Sequence, residues 1–116
     1  MTINQAIAAA DAMRPNAYTP DDKRVWVNQV ERQLQEFAGT GYTFYTTEDM
    51  DKDLLLPEAW CDIYVLYIAS MCDFWEQDTA KYNASAALYN SRLTEFKQEY
   101  RRSAAGQTST HWVNLI

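Results

Sequence analysis

Little in this sequence interrupts a helix. Its 116 residues include only three glycines and three prolines, too few for the dense turns of a β-sandwich. Histidine occurs once, as His111, and cysteine twice, as Cys61 and Cys72. One histidine excludes Glu-x-x-His di-iron pairs and, with two cysteines, the usual four-ligand zinc cages. The two cysteines fall on one expected helix about 16 Å apart along its axis. A disulfide tolerates no more than roughly 7 Å between Cα atoms. Acidic residues break every apolar stretch well before the roughly 18 residues of a membrane span. The opening MTINQAIAAAD has no basic stretch of the kind that starts a secretory leader, so none is expected. Basic charge is scarce as well. Ten Lys and Arg face sixteen Asp and Glu, for a net charge of −6 and a pI near 4.6. A general nucleic-acid binder needs a basic footprint. Neither G-x-x-x-x-G-K-[ST] nor G-x-G-x-x-G is present. The Asp49, Asp51, Asp53 triplet fails as an EF-hand, which would need Gly at 54 and Glu at 60 where the chain has Leu54 and Trp60. The sequence therefore predicts no enzyme: no catalytic residue, no cofactor and no metal.

What is present suits one folded domain, with 47% hydrophobic and 14% aromatic residues. The expected fold is all-α: a small four-helix bundle with an extended loop between helices 2 and 3 and an extended C-terminal tail. Helices are predicted near 2–14, 20–38, 57–77 and 79–102. Thr2 with Gln5 reads as a capping box, and Ile3, Ala6, Ile7, Ala10 and Met13 share one face. Thr19-Pro20-Asp21-Asp22 supplies an N-cap, a first-turn proline and two acids at the positive end of the helix dipole. Trp26, Val30, Leu34 and Phe37 form the second helix's stripe, and Gly39 ends it. The third helix is apolar over most of its circumference. Trp60, Tyr64, Tyr67, Met71 and Phe74 lie beside Cys61, Val65, Ile68, Cys72 and Trp75, as in a buried central helix. In the fourth, Tyr82, Ala86, Tyr89, Leu93, Phe96 and Tyr100 repeat at the spacing of a bundle seam.

Three features exceed what a monomer needs. Residues 42–47 are β-branched and aromatic, which predicts an extended segment exposing Tyr42, Phe44 and Tyr45 to contacts. Such a strand needs a partner, either Leu54-Leu55-Leu56 or another chain. Residues 48–62 hold six acids against Lys52 alone, so −5 of the net −6 sits there. Glu48, Asp49, Asp51 and Asp53 form an acidic loop. Lys97, Arg101 and Arg102 form a complementary basic patch at the end of the fourth helix. These two patches are expected to meet between adjacent subunits, or else the loop lines a channel. The chain divides into a helical domain, 1–102, and a tail, 103–116. That tail ends in Trp112, Val113, Leu115 and Ile116, an apolar cluster on a polar tether, which reads as a docking peptide for another chain, the portal first and otherwise a neighbouring subunit, with folding back on its own bundle as the alternative.

Thr2-Ile3-Asn4-Gln5-Ala6-Ile7 with Asp11, then Pro15-Asn16-Ala17-Tyr18, resembles the start of the phage head–tail connector proteins of siphophages and prophages, also called adaptor or head-completion proteins. The likeness continues through Leu54-Leu55-Leu56-Pro57-Glu58 and Asp62-Ile63-Tyr64-Val65-Leu66-Tyr67. It ends with Tyr82-Asn83-Ala84-Ser85, Leu88-Tyr89-Asn90, Phe96 and Tyr100, and so covers residues 2–102. The resemblance implies a virion protein at the head–tail interface, held in the host cytoplasm before assembly. It implies a homo-oligomeric ring of about twelve copies beneath the portal protein, which extends the DNA channel towards the neck or tail proteins. It carries over no catalytic residue. Genomic DNA would pass without sequence-specific contact, and no membrane is involved. Two other classes fit the composition: a small acidic inhibitor and an antitoxin-like partner-binding protein.

Overall fold

The computed structural model describes residues 1–41 and 44–106, the last three as backbone only. Within them the chain is an all-α four-helix bundle: α1 (Ile3–Met13), α2 (Pro20–Ala38), α3 (Asp62–Trp75) and α4 (Thr79–Gly106). Local chemistry sets the starts. The Thr2 hydroxyl accepts the Gln5 N–H at 3.1 Å while the Gln5 side chain accepts the Thr2 N–H at 2.9 Å. At α2 the reciprocal partner of Thr19 is Asp22, at 3.1 and 3.2 Å. Thr19→Ala is expected to cost about 1 kcal/mol in urea unfolding, and Thr19→Ser to cost less. Gly39 ends α2 at φ 77°, a left-handed backbone that favours glycine.

Side-chain pairs give the topology. Met1 meets Glu58, and Arg14 meets Asp73, so α1 and α3 run the same way. Glu31 meets Tyr64 and Gln29 meets Tyr67, so α2 runs against α3. Ser85 meets Asp73, and Phe96 meets Trp60, so α4 also runs against α3. The bundle is therefore up-down-up-down, and α3 touches all three other helices. Ile63, Tyr64, Ile68, Ala69 and Cys72 of α3 are fully buried, as expected of a central helix. The α4 seam is also as read: Tyr89, Leu93 and Phe96 are buried, and Tyr82, Ala86 and Tyr100 are half-buried.

Several expectations change. The third helix does not run unbroken from 57. A 3₁₀ turn, Glu58–Trp60, precedes it, and Cys61 joins the two with φ −70° and ψ −13°. Phe74 and Trp75 leave the core at 49% and 57% exposed, and Met71 and Tyr67, on the Phe74 face one and two turns back, are only half-buried. Met13, in the last turn of α1, is exposed too. The fourth helix continues four residues past 102, so the first part of the expected tail, from Ser103 to Gly106, is helix; Ala104 and Ala105 favour this. Phe44–Thr46 belong to no strand. Tyr45 instead takes the Asn28 amide as its partner, donating its N–H at 2.7 Å and accepting at 3.0 Å. β-propensity measures fit to a pleated surface, and here one helix side chain offers the hydrogen bonds that a neighbouring strand would. Among the described residues, Leu54-Leu55-Leu56 does not pair with 44–47. The stretch ahead of it meets the chain's start, through a single antiparallel bridge between Thr2 and Asp53 and a Leu54 N–H donated to Met1 O at 2.8 Å. Tyr42 lies outside the described residues.

Candidate interaction surface

Glu31 sits on the apolar side of α2 and is fully buried. Its carboxylate accepts from the Tyr64 hydroxyl, the Tyr45 hydroxyl at 2.8 Å and the Leu55 N–H at 3.1 Å. Burial pushes this carboxyl above its ordinary range, and the three hydrogen bonds oppose the shift without cancelling it. Tyr64 rises too, first by burial and then by the nearby Glu31 charge. Asp73 of α3 accepts two bonds from the Arg14 guanidinium, at 2.8 and 3.1 Å, and one from the Ser85 hydroxyl at 2.8 Å. Lys23 is buried against Asp11 at 2.8 Å. Each of these groups ties one element to another. Burial raises both the Cys61 and Cys72 thiols to about 11, so neither is a ready nucleophile at neutral pH. Among the described residues no group of three or more His, Cys, Asp or Glu is arranged to hold a metal. No described helix is long and apolar enough to cross a membrane.

The acidic loop folds against the start of α1. Met50 O accepts the Asn4 N–H at 3.0 Å, and Asp51 accepts from the Asn4 amide at 2.8 Å. Asp49 caps the 3₁₀ turn Thr47–Asp49 and pairs with Lys52 at 3.0 Å. Its carboxyl is held below the ordinary range, first by the Thr46 N–H and then by Lys52. Asp53 lies 3.9 Å from the Met1 ammonium. Glu48, Asp51 and Asp53 are exposed. In the basic patch, Lys97 and Arg101 both stand over the Phe37 ring, 5.2 and 5.1 Å from its centre, and Arg102 pairs with Glu99 at 2.8 Å. No ion pair joins the two patches among the described residues. Phe44 is exposed beside Arg24, Val25 and Arg32, whereas Tyr45, expected at the surface, is buried. Trp112, Val113, Leu115 and Ile116 lie outside the described residues.

The surface feature that sequence reasoning missed is at the α3–α4 corner. Phe74, Trp75 and Tyr82 line a groove of about 530 Å³ with Gln77, Asp78, Thr79 and Asn83. The Phe74 ring stands edge-on to Trp75 at 5.2 Å and to Tyr82 at 5.6 Å. Gln77 turns the chain between the helices at φ 61°. Trp75 also borders a smaller cleft with Tyr18, Asp22 and Trp26, so the apolar strip continues onto α2. The sequence did carry a signal: Glu76-Gln77-Asp78 ends the apolar run directly after Trp75. Helical periodicity could not show that this last turn leaves Phe74 and Trp75 open while Cys72 and Asp73 are buried. No family model, curated protein or solved structure matches the chain.

Proposed function

We propose that this chain is a structural assembly protein, a phage head–tail connector that forms a ring beneath the portal, extends the DNA channel and links head to tail. The observation that carries the reading is the division of its chemistry. The buried ionisable groups Glu31, Asp73 and Lys23 are engaged in ties between elements, while clustered aromatic side chains are left on the surface. That division suits a protein whose work is contact, since anchors of an interface are surface aromatics. A small helical bundle is also what the family resemblance implies. A net charge of −6 suits a channel wall, because cationic contacts to phosphates would retard DNA. The net negative charge is bunched at 48–62 and several of those acids are already partnered, which disfavours a DNA-mimicking inhibitor. Such a protein spreads carboxylates along an exposed face.

The test is co-expression with the portal protein of the same phage, followed by electron microscopy of the purified particle. The expected result is an added ring of about twelve subunits on the portal axis. A chain that remains monomeric and never co-purifies with the portal would overturn the reading.

A further inference from the structure

We propose that the apolar segment Trp112-Val113-Asn114-Leu115-Ile116 of one chain docks in the α3–α4 corner groove of a second copy, linking copies head to tail. The groove supplies half of the argument. Phe74 and Trp75 are two of the most exposed large apolar side chains of the described molecule, and they stand together with Tyr82 around one concavity. Water-facing aromatic surface of this kind is stabilised by a covering apolar group. The sequence holds one segment of matching character outside the described residues. Four of the residues from 112 to 116 are large and apolar, and none is charged.

Length decides whose groove it fills. The groove lies at the N-terminal end of α4, and the segment is rooted at the opposite end, beyond Gly106. At the helical rise per residue, Gly106 is roughly 35 Å from Asn83 and roughly 40 Å from Thr79. Six residues lead from Gly106 to Trp112, and fully extended chain covers at most about 20 Å over that length. Trp112 and Val113 therefore fall well short of their own groove. Ile116 approaches its rim only when every intervening residue is fully stretched. A second copy meets no such limit.

The arrangement has a consequence for assembly. Donor and acceptor lie at opposite ends of the same helix, so each chain gives one segment and receives one. Such a contact is heterologous, and repeated heterologous contacts close into a ring when their rotation allows. The inference stands on reach and surface chemistry alone and does not depend on the connector reading.

The test uses the full chain with the photo-reactive residue p-benzoylphenylalanine at position 112, in an equal mixture of light and ¹⁵N-labelled protein. After irradiation and trypsin digestion, the expected product joins the position-112 peptide to a peptide from residues 53–92, with one light and one heavy partner. A second form of the chain also carries Trp75→Asp. Trp75 is 57% exposed, so the fold and its thermal unfolding should hold, while the mixed-isotope yield falls about tenfold or more. Products found only within one isotope would place the segment on its own chain. Products mapping to another surface, a yield indifferent to Trp75→Asp, or no inter-chain product would each overturn the proposal. All these results can be obtained without the portal, so they leave the ring experiment to stand or fall by itself.

Discussion

Glu31→Ala is expected to lower the unfolding free energy by about 3–5 kcal/mol, the largest effect of any single substitution proposed for this chain. Three donors lose their acceptor at once: the Tyr64 hydroxyl, the Tyr45 hydroxyl and the Leu55 N–H. Neither hydroxyl can turn to water without opening the core, because Tyr64 is fully buried and Tyr45 nearly so, while the Leu55 N–H is half-buried. The damage should also be directional. Tyr45 and Leu55 flank the acidic loop, so the loop between α2 and α3 should loosen before the helices part. Hydrogen exchange would show faster exchange at 45–56 than across α3. Glu31→Gln offers a milder variant with a distinct signature. Burial raises the folded Glu31 pKa above its unfolded value near 4.5. The folded state therefore holds its proton to higher pH than the unfolded state, and that contribution to stability is full below the unfolded pKa. It is lost as pH rises through the raised folded pKa. The stability of the wild type relative to Glu31→Gln should accordingly decline over that window and then level off. Urea midpoints measured across the window check this, and a gap independent of pH would contradict the assignment.

The same carboxylate shows how far the sequence could be read. Helix starts were legible because capping is local: Thr2 with Gln5, and Thr19 with Pro20 and Asp22, need nothing from the rest of the molecule. The central place of α3 was legible because its apolar face is too wide for any helix but a buried one. Glu31 carries no local motif that marks its role. Yet it stands at the fourth and third positions from Val27 and Leu34, on the apolar face, where a lone carboxylate signals buried donors nearby. Those donors come from residues 14 to 33 positions away in sequence, and no local pattern reports such partners. Tyr45 follows from the same cause. Its segment looked like a strand, and its partner proved to be Asn28 on a helix. The acidic loop was legible by composition alone. Its engagement with Asn4, Lys52 and the Met1 ammonium was not, because each depends on how the chain's start docks beside the loop. Phe74 and Trp75 look like core in the sequence because periodicity gives the face of a residue and not how far that face is covered.

Asp73 carries the second large effect, and its position makes the outcome informative about the corner groove. The residue is fully buried on α3, binds Arg14 just beyond α1, and accepts from Ser85 on α4. One side chain thus holds three helices at the end of the bundle where Phe74 and Trp75 emerge. Asp73→Ala leaves the Arg14 guanidinium without its two acceptors in a site only partly open to solvent, where its side chain is 28% exposed. Fully buried pairs broken in this way cost about 3–5 kcal/mol, and the partial exposure of Arg14 brings the expected loss down to about 2–4 kcal/mol. Ser85 is less affected, because its hydroxyl also lies within reach of Lys81 O at 3.0 Å. Removing both charges separates the causes. If the penalty is the stranded guanidinium, Arg14→Met with Asp73→Ala should recover much of the loss, since the pair's own desolvation cost then disappears with it. If the penalty is the lost tie between helices, the double variant should be as unstable as Asp73→Ala alone. A double-mutant cycle by urea unfolding distinguishes the two. Arg14 and Asp73 touch directly, so strong non-additivity is the expected result.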